Sequence, residues 1–424
     1  MAIGEKVDMY WAFNSYVEWP EAIDDLLDAG FEPNEYSFRQ AIVQGQIQTL
    51  KRILAKRKNY RICHCFLEAA SAKDPACSFE NLEVFEFLAD LVSKRRKELQ
   101  NIAEATLPKE MLSHLLIRAD TLIGYRAGET VQLLSSHGVD VEFEDEYGYL
   151  IYNQVHGRTA FAEVLWSFGF KDVDETDSEG YTCLMLTPAV STATRLEFAH
   201  WLKGKGADLD RKRIDQPAMF YVAYGVGQLI MHDAVCYHRA HSPSHVAFPD
   251  SNFGDSESWG MVNDILHRSY RDSCACKCSD AGCCSTTRFV HGLALNKLPP
   301  KRRMEVISKL GDISTQRSVT ANPSALIRAL TFDTLSLPHT CNHSTDIDDE
   351  ILARETQNET KGSVQLLDDL LDEFHQMYER SDSTLFEFLQ GHWATRMCEV
   401  CGEEVVIDED NEEEFVDALE EVTP

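Results

Sequence analysis

The 424-residue sequence has no apolar run long enough to cross a bilayer. Its least polar stretch, Ala218–Met231, is short and includes Gln228, whereas a spanning helix needs roughly 20 apolar residues. The opening MAIGEKVDMYWAF lacks a basic region followed by an apolar core, so no secretory signal is expected. Enzyme signatures are missing too. There is no Gly-x4-Gly-Lys-Ser/Thr phosphate loop, no Gly-x-Ser-x-Gly elbow and no His-Glu-x2-His pair. Gly225-Val226-Gly227 is a lone Gly-x-Gly in an apolar run, and packing accounts for it. Bases are scarce at one end. Cys341–Pro424 holds 25 acids and 4 bases, so much of the net charge of −30 is carboxy-terminal. Such a surface repels phosphate backbones, which argues against nucleic-acid binding. Solubility, or docking to a basic partner, is what the acidity leaves.

What is present is a folded protein's composition, 44% hydrophobic and 10% aromatic. The length suits two or three domains, or a repeat array with an appendage. A leucine-like pair followed by a glycine turn recurs in LLDAG (Leu26–Gly30), LLSSHG (Leu133–Gly138), LWSFG (Leu165–Gly169) and WLKGKG (Trp201–Gly206). With Leu54 and Leu88 from two glycine-free helix ends, the equivalent positions Leu27, Leu54, Leu88, Leu134, Leu165 and Leu202 are spaced by about 35 residues on average. Periods of that size mark helical solenoids; a plain helical bundle is the simpler alternative.

Three windows carry the pattern. In Ser37–Leu54, Gly45 ends a short helix and Ile47, Leu50, Ile53 and Leu54 share the face of the next. In Asp177–Asp210, Asp177 and Gly180 make a turn, Thr182 takes an N-cap position, Leu184 starts an inner helix, and Leu196, Ala199, Trp201 and Leu202 build an outer one. Asp145–Gly169 repeats the turn as DEYG and the outer helix as FAEVLWSFG. These windows resemble ankyrin repeats, with Thr182-Cys183-Leu184-Met185 standing where such repeats have Thr-Pro-Leu-His. The resemblance implies five or six units of uneven length across Met1–Arg213. It also implies a concave face of turns and inner helices that holds a protein partner, here through Asp145, Tyr147, Tyr149, Asp177, Glu179 and Tyr181.

Ala218–Met231 then reads as a terminal helix, and Ser242–Ser258 as a linker with a boundary near Ser251. Beyond it, helical spacing returns at Pro299–Leu310, Pro323–Phe332, Ser363–Tyr378 and Ser383–Met397. In Ser363–Tyr378, Leu366, Leu367, Leu370, Leu371 and Phe374 fall on one side. The expected organisation is all-α. A degenerate ankyrin-like solenoid covers 1–250, a small cysteine-rich, mostly helical module covers 251–398, and 399–424 forms an acidic, partly mobile tail.

Thiols crowd in one place. Cys274, Cys276, Cys278, Cys283 and Cys284 fall within CACKCSDAGCC. Zinc takes four soft or borderline ligands in a tetrahedron, and thiolate suits structural sites. Ser279–Gly282 can turn the chain so that Cys283 or Cys284 returns a ligand; closing the centre from one loop is tight, so His339, Cys341 or His343 of LPHTCNH is the outside candidate. Free thiols, or a disulfide or redox pair, are the other readings of the same cluster. Arg271–Cys284 together with Arg328–Cys341 resembles a carboxy-terminal module of uncharacterised fungal ankyrin-repeat proteins. The matching residues are Asp272, Cys274, Cys276, Cys278, Ser279, Gly282 and Cys283, then Leu330, Thr331, Phe332, Leu337, His339 and Cys341. That resemblance implies that the two segments meet, and it carries no reaction.

Other soft groups weigh less. Cys63-His64-Cys65 sits in a helical run whose neighbours diverge, and Cys398-x2-Cys401 is half a zinc site without its second half. His232, Cys236, His238, His241 and His245 read as a polar helix end, and Cys77 and Cys183 as packed thiols. The function expected is a non-enzymatic protein–protein interaction scaffold with a structural zinc ion. A thiol-based redox or metal sensor and an unrecognised enzyme are the alternatives. The compartment expected is cytoplasmic or nuclear; Lys301-Arg302-Arg303 suits an import signal or a solvated helix start.

Overall fold

The computed structural model describes residues 19–30, 35–56, 82–118, 120–141, 150–155, 157–186, 192–214, 216–240, 260–274, 276–298, 303–308, 310–311, 322–339 and 361–402. Asp145, Tyr147, Tyr149, Cys341 and His343 lie outside these residues, as do Cys63-His64-Cys65, Cys77 and the tail from 403. So do the side chains of His232, Cys236, His238, His241 and His245. The chain is mostly helical, and its one described sheet is a two-residue antiparallel hairpin, Lys212–Arg213 with Gln216–Pro217. So short a hairpin leaves the all-α expectation standing. Among the described residues, no helix is long and apolar enough to cross a membrane. The chain forms two compact units, Met1–Val222 with Ser251–Ser258, and Ala223–Asp250 with Trp259–Pro424.

The first unit is built from α1 (Pro20–Asp28), α2 (Glu35–Val43), α3 (Ile47–Lys56), α4 (Leu82–Thr106), α5 (Lys109–His114), α6 (Ala127–Ser136), α7 (Thr159–Ser167), α8 (Cys183–Leu186) and α9 (Thr192–Gly204). The glycine endings do what their sequence predicts. Gly45, Gly138, Gly169 and Gly206 all have positive φ. The amide after each donates five residues back: Gln46 to Ala41, Val139 to Leu134, Phe170 to Leu165 and Ala207 to Leu202. This six-to-one bond satisfies carbonyls that the helix end would orphan, and glycine adopts its left-handed geometry without a Cβ clash. Of the equivalent positions of the repeat, Leu88, Leu134, Leu165 and Leu202 are fully buried, and Leu27 and Leu54 only partly.

Packing follows the apolar spacing. Leu50 and Ile53 of α3 are buried, as are Phe38, Ala41 and Ile42 of α2. Arg52 on the outer side pairs with Glu21 and Asp24 of α1. Phe85 of α4 meets Phe161 of α7 edge-on, with ring centroids 4.8 Å apart. Leu99 and Ala103 of α4 and Leu107 just after it form one apolar cluster with Leu115, Ile123, Ala127 and Leu134. Each leucine or isoleucine among them contributes about 1.5–3 kcal/mol on burial.

The expected turn at Asp177 is present. Asp177 Oδ1 accepts the amides of Glu179 and Tyr181, both at 2.9 Å, and Gly180 has φ +84. The Thr182 cap is not made as expected. Thr182 precedes α8, but its buried hydroxyl has no hydrogen-bond partner; its carbonyl accepts from Met185 and Leu186 instead. Cys183 is a packed thiol, buried and donating to the Val173 carbonyl.

The second unit takes up α10 (Ala218–Ala240) from residue 223. It continues with α11 (Gly260–His267), α12 (Ser285–Leu293), α13 (Pro323–Thr334), α14 (Lys361–Arg380), α15 (Leu385–Phe388), a π-helical turn (Leu389–Trp393) and α16 (Ala394–Cys401). α10 and α12 touch backbone to backbone. A Cβ on Gly227 would lie 2.2 Å from the Phe289 carbonyl oxygen, and one on Gly292 2.1 Å from that of Tyr224. Gly227 is therefore a packing residue. On α14, Leu367, Leu370, Leu371 and Phe374 are buried as the amphipathic pattern predicts, but Leu366 is exposed at the edge of that stripe. Phe386, Leu389 and Trp393 point inward, and the Trp393 indole donates to Thr331 Oγ1 of α13 at 2.9 Å.

Candidate metal centre

The cysteine loop runs from Tyr270 into α12, and an aspartate organises it. Asp272 Oδ1 accepts the amides of Cys274 at 3.1 Å and Cys283 at 2.7 Å, while the Asp272 amide donates to the Cys283 carbonyl at 3.0 Å. These bonds draw both ends of the loop together. Gly282 makes that closure possible. Its φ is +91, and a Cβ there would sit 1.9 Å from the Asp272 carbonyl oxygen. Arg271 braces the far side, donating to Ser279 Oγ at 2.6 Å and to the Gly282 carbonyl at 3.3 Å. Arg288, at the start of α12, lies 3.6 Å from Asp272 Oδ2 with both side chains buried.

The closed loop brings sulfurs together. Cys274 Sγ is 3.0 Å from Cys283 Sγ, and Cys283 Sγ is 3.2 Å from Cys278 Sγ. No disulfide joins them. Cys276, Cys278 and Cys283 are buried, and Cys274 is half-buried. A second segment reaches the same place. After α13, Ser336 turns the chain with φ +54, Leu337 is buried, and His339 arrives beside the loop. One donor atom each from Cys276, Cys278 and His339 lie within 4.8 Å of one another. Asp272, Cys274 and Cys283 form a second set by the same measure.

The imidazole of His339 is held from several sides. It stacks on His291 of α12 with centroids 4.1 Å apart and packs against Phe332 at 4.8 Å. Asp333 Oδ1 lies 3.6 Å from its Nε2. A carboxylate behind a ligating histidine fixes ring orientation and raises ligand basicity. Burial, reinforced by His339 and Arg288, pushes the His291 imidazole down to about 3, so it is neutral. α13 is also clasped to the loop through Arg328, which donates to the Lys277 carbonyl at 3.1 Å and pairs with Asp280 at 2.8 Å.

Of the residues expected to bind metal, Cys274, Cys276, Cys278, Cys283 and His339 are therefore assembled. Cys284 falls in neither set. It is the residue before α12, and its amide donates to Thr287 Oγ1 at 2.9 Å. Cys398 and Cys401 lie on α16, half-buried, in no donor group among the described residues. Spacing alone did not reveal the roles of Asp272, His291, Arg288 and Arg328. Besides its place among the residues that match the cysteine-rich module, Asp272 lies two residues before a cysteine, where aspartate closes local turns. The others arrive by tertiary packing and leave no local trace.

The donor set suits zinc. Thiolates with one imidazole are what closed structural zinc sites use, at about 2.3 Å per Zn–S bond. A tetrahedron of that size needs sulfurs about 3.8 Å apart, so Cys274, Cys278 and Cys283 need to part only slightly. Comparisons with protein-family models, with curated proteins and with solved structures returned no match.

In the first unit, Tyr181 stacks edge-on against Tyr221 and lies under the Arg213 guanidinium, 3.7 Å from its ring centroid. Glu179 is exposed, and its carbonyl accepts from Arg213 Nε. Asp177 is committed to its own turn.

Proposed function

We propose that the protein is a non-enzymatic interaction scaffold whose carboxy-terminal module is fastened by zinc. The observation that carries the metal reading is the meeting of Cys276 and Cys278 with His339, more than sixty residues away in sequence, in a buried cluster. Ligands so far apart join two segments that hydrophobic packing alone holds less firmly, and metal binding then becomes folding free energy.

The scaffold reading rests on the first unit. Two consecutive turns bond to each other twice, the Asp208 amide to Asp174 and Arg213 to the Glu179 carbonyl, each across 34 residues. That one interval is close to the period of an ankyrin repeat. It supports stacked repeats whose turns, Glu179 and Tyr181 among them, face a protein partner. Metal analysis of the purified chain tests the central claim. Zinc is expected in the wild type; in Cys276→Ser its loss is expected, with faster proteolysis of the second unit. Zinc retained in full by that variant would refute the assignment.

A redox reading has its own observation, the 3.0 Å approach of Cys274 and Cys283. A peroxide can oxidise that pair to a disulfide, with both thiol protons and the two electrons ending in two molecules of water. Rapid loss of two thiols on peroxide treatment of a metal-free chain would favour this sensor over the scaffold.

A further inference from the structure

The donors at this centre outnumber what one ion uses. A structural zinc takes four ligands. Cys274, Cys276, Cys278, Cys283 and His339 already exceed that, and the Asp272 carboxylate adds one more. These donors are not a single shell with spares. They divide into Cys276, Cys278 and His339 on one side and Asp272, Cys274 and Cys283 on the other. The two sets meet where Cys278 and Cys283 place their sulfurs 3.2 Å apart. A thiolate sulfur has lone pairs enough to bind two cations.

We propose that the loop holds two zinc-like divalent cations, with Cys278 and Cys283 shared between them. Cys276 and His339 complete the first ion's shell, and Cys274 and Asp272 complete the second's. This rests on the metal reading above and extends it. Two shared and four unshared ligands fill both tetrahedra with nothing left over. Asp272 has an oxygen to give, because Oδ1 takes the two amides and Oδ2 lies 3.6 Å from Arg288. Charge favours two ions over one. Four thiolates with the Asp272 and Asp333 carboxylates carry six negative charges; two divalent cations with the Arg288 guanidinium offset five of them, and one cation offsets only three. One ion on the same donors leaves excess negative charge in a buried site, where an unpaired charge is costly.

Zinc per chain, measured by native mass spectrometry on the full-length protein purified with zinc supplied, tests this. Two ions are expected in the wild type and one in Cys274→Ala, with helical content by circular dichroism unchanged. One ion in the wild type overturns the pair and leaves the single structural zinc standing; none overturns both. Cys274→Ala that keeps two ions, or loses both while staying helical, overturns the division into two sets. Cobalt(II) loading tests the sharing. Thiolate-bridged ions couple their spins and lower the magnetic moment, so two independent high-spin moments overturn the bridge.

Discussion

Asp177 and Asp272 perform the same local act in different units. Each uses one carboxylate oxygen to accept the amide two residues on and one further amide. At Asp177 the second amide is four residues away, at Tyr181; at Asp272 it is eleven away, at Cys283. The short span makes an ordinary surface turn. The long span closes a loop and brings distant thiols within 3.0 Å. The glycines beside them differ in the same way. Gly180 and Gly282 share a left-handed backbone, but a Cβ on Gly180 meets nothing nearer than 3.8 Å, and one on Gly282 runs into a carbonyl. A local motif thus determines conformation, and what it encloses determines chemistry.

Adding a methyl group to each glycine should separate the two turns most widely. Gly180→Ala should cost about 1–2 kcal/mol, the penalty of a left-handed non-glycine residue, and leave metal content unchanged. Gly282→Ala should prevent the Asp272–Cys283 closure and abolish the zinc binding proposed above. If metal analysis finds equal zinc in both variants, the loop does not need its closure to assemble the site.

Removing the two carboxylates gives the next effect. Asp272→Ala leaves the buried Arg288 guanidinium without its carboxylate and two amides without an acceptor, a loss on the order of 3–5 kcal/mol. Asp177→Ala forfeits two turn bonds, one exposed and one half-buried, about 1 kcal/mol. Chemical denaturation followed by hydrogen exchange in each unit separates the two; similar losses would mean that burial of the Asp272–Arg288 pair contributes little.

The same contrast explains what was legible in the sequence. The endings at Leu134, Leu165 and Leu202 were readable because a six-to-one cap needs residues that are neighbours in the chain. The turn at Asp177 was readable for the same reason, and so was the meeting of Cys276 and Cys278, two residues apart in the chain. Thr182 misled because its position is that of a cap while its hydroxyl is turned away from the role. Cys283 and Cys284 were indistinguishable, since only the start of α12 decides which sulfur faces the cluster. His291 is an unremarked helical residue until the fold stacks it on His339. Leu366 shows the limit of amphipathic reading, which finds the stripe but not its edge.

The last effect lies in the first unit and depends on pH. Glu175 Oε1 accepts the Tyr125 amide at 2.6 Å, and Gly124 has no room for a side chain because the same carboxylate occupies it. Burial, with help from Asp172, raises this carboxyl to about 7. In the unfolded chain it loses its proton near the usual glutamate value, about 4.3. Between those two values the folded chain binds more protons than the unfolded chain. Stability therefore falls as pH rises through that window and levels off above about 7. The full loss is on the order of 3 kcal/mol, since each tenfold change in proton affinity is worth about 1.4 kcal/mol. Glu175→Gln keeps an acceptor for Tyr125 and cannot ionise. The variant should match the wild type near pH 4.5 and exceed it at pH 8. Hydrogen exchange should place the gain in peptides spanning residues 120–180 and leave α13 unchanged. Parallel pH profiles for the two proteins would show that the carboxylate is as well solvated folded as unfolded.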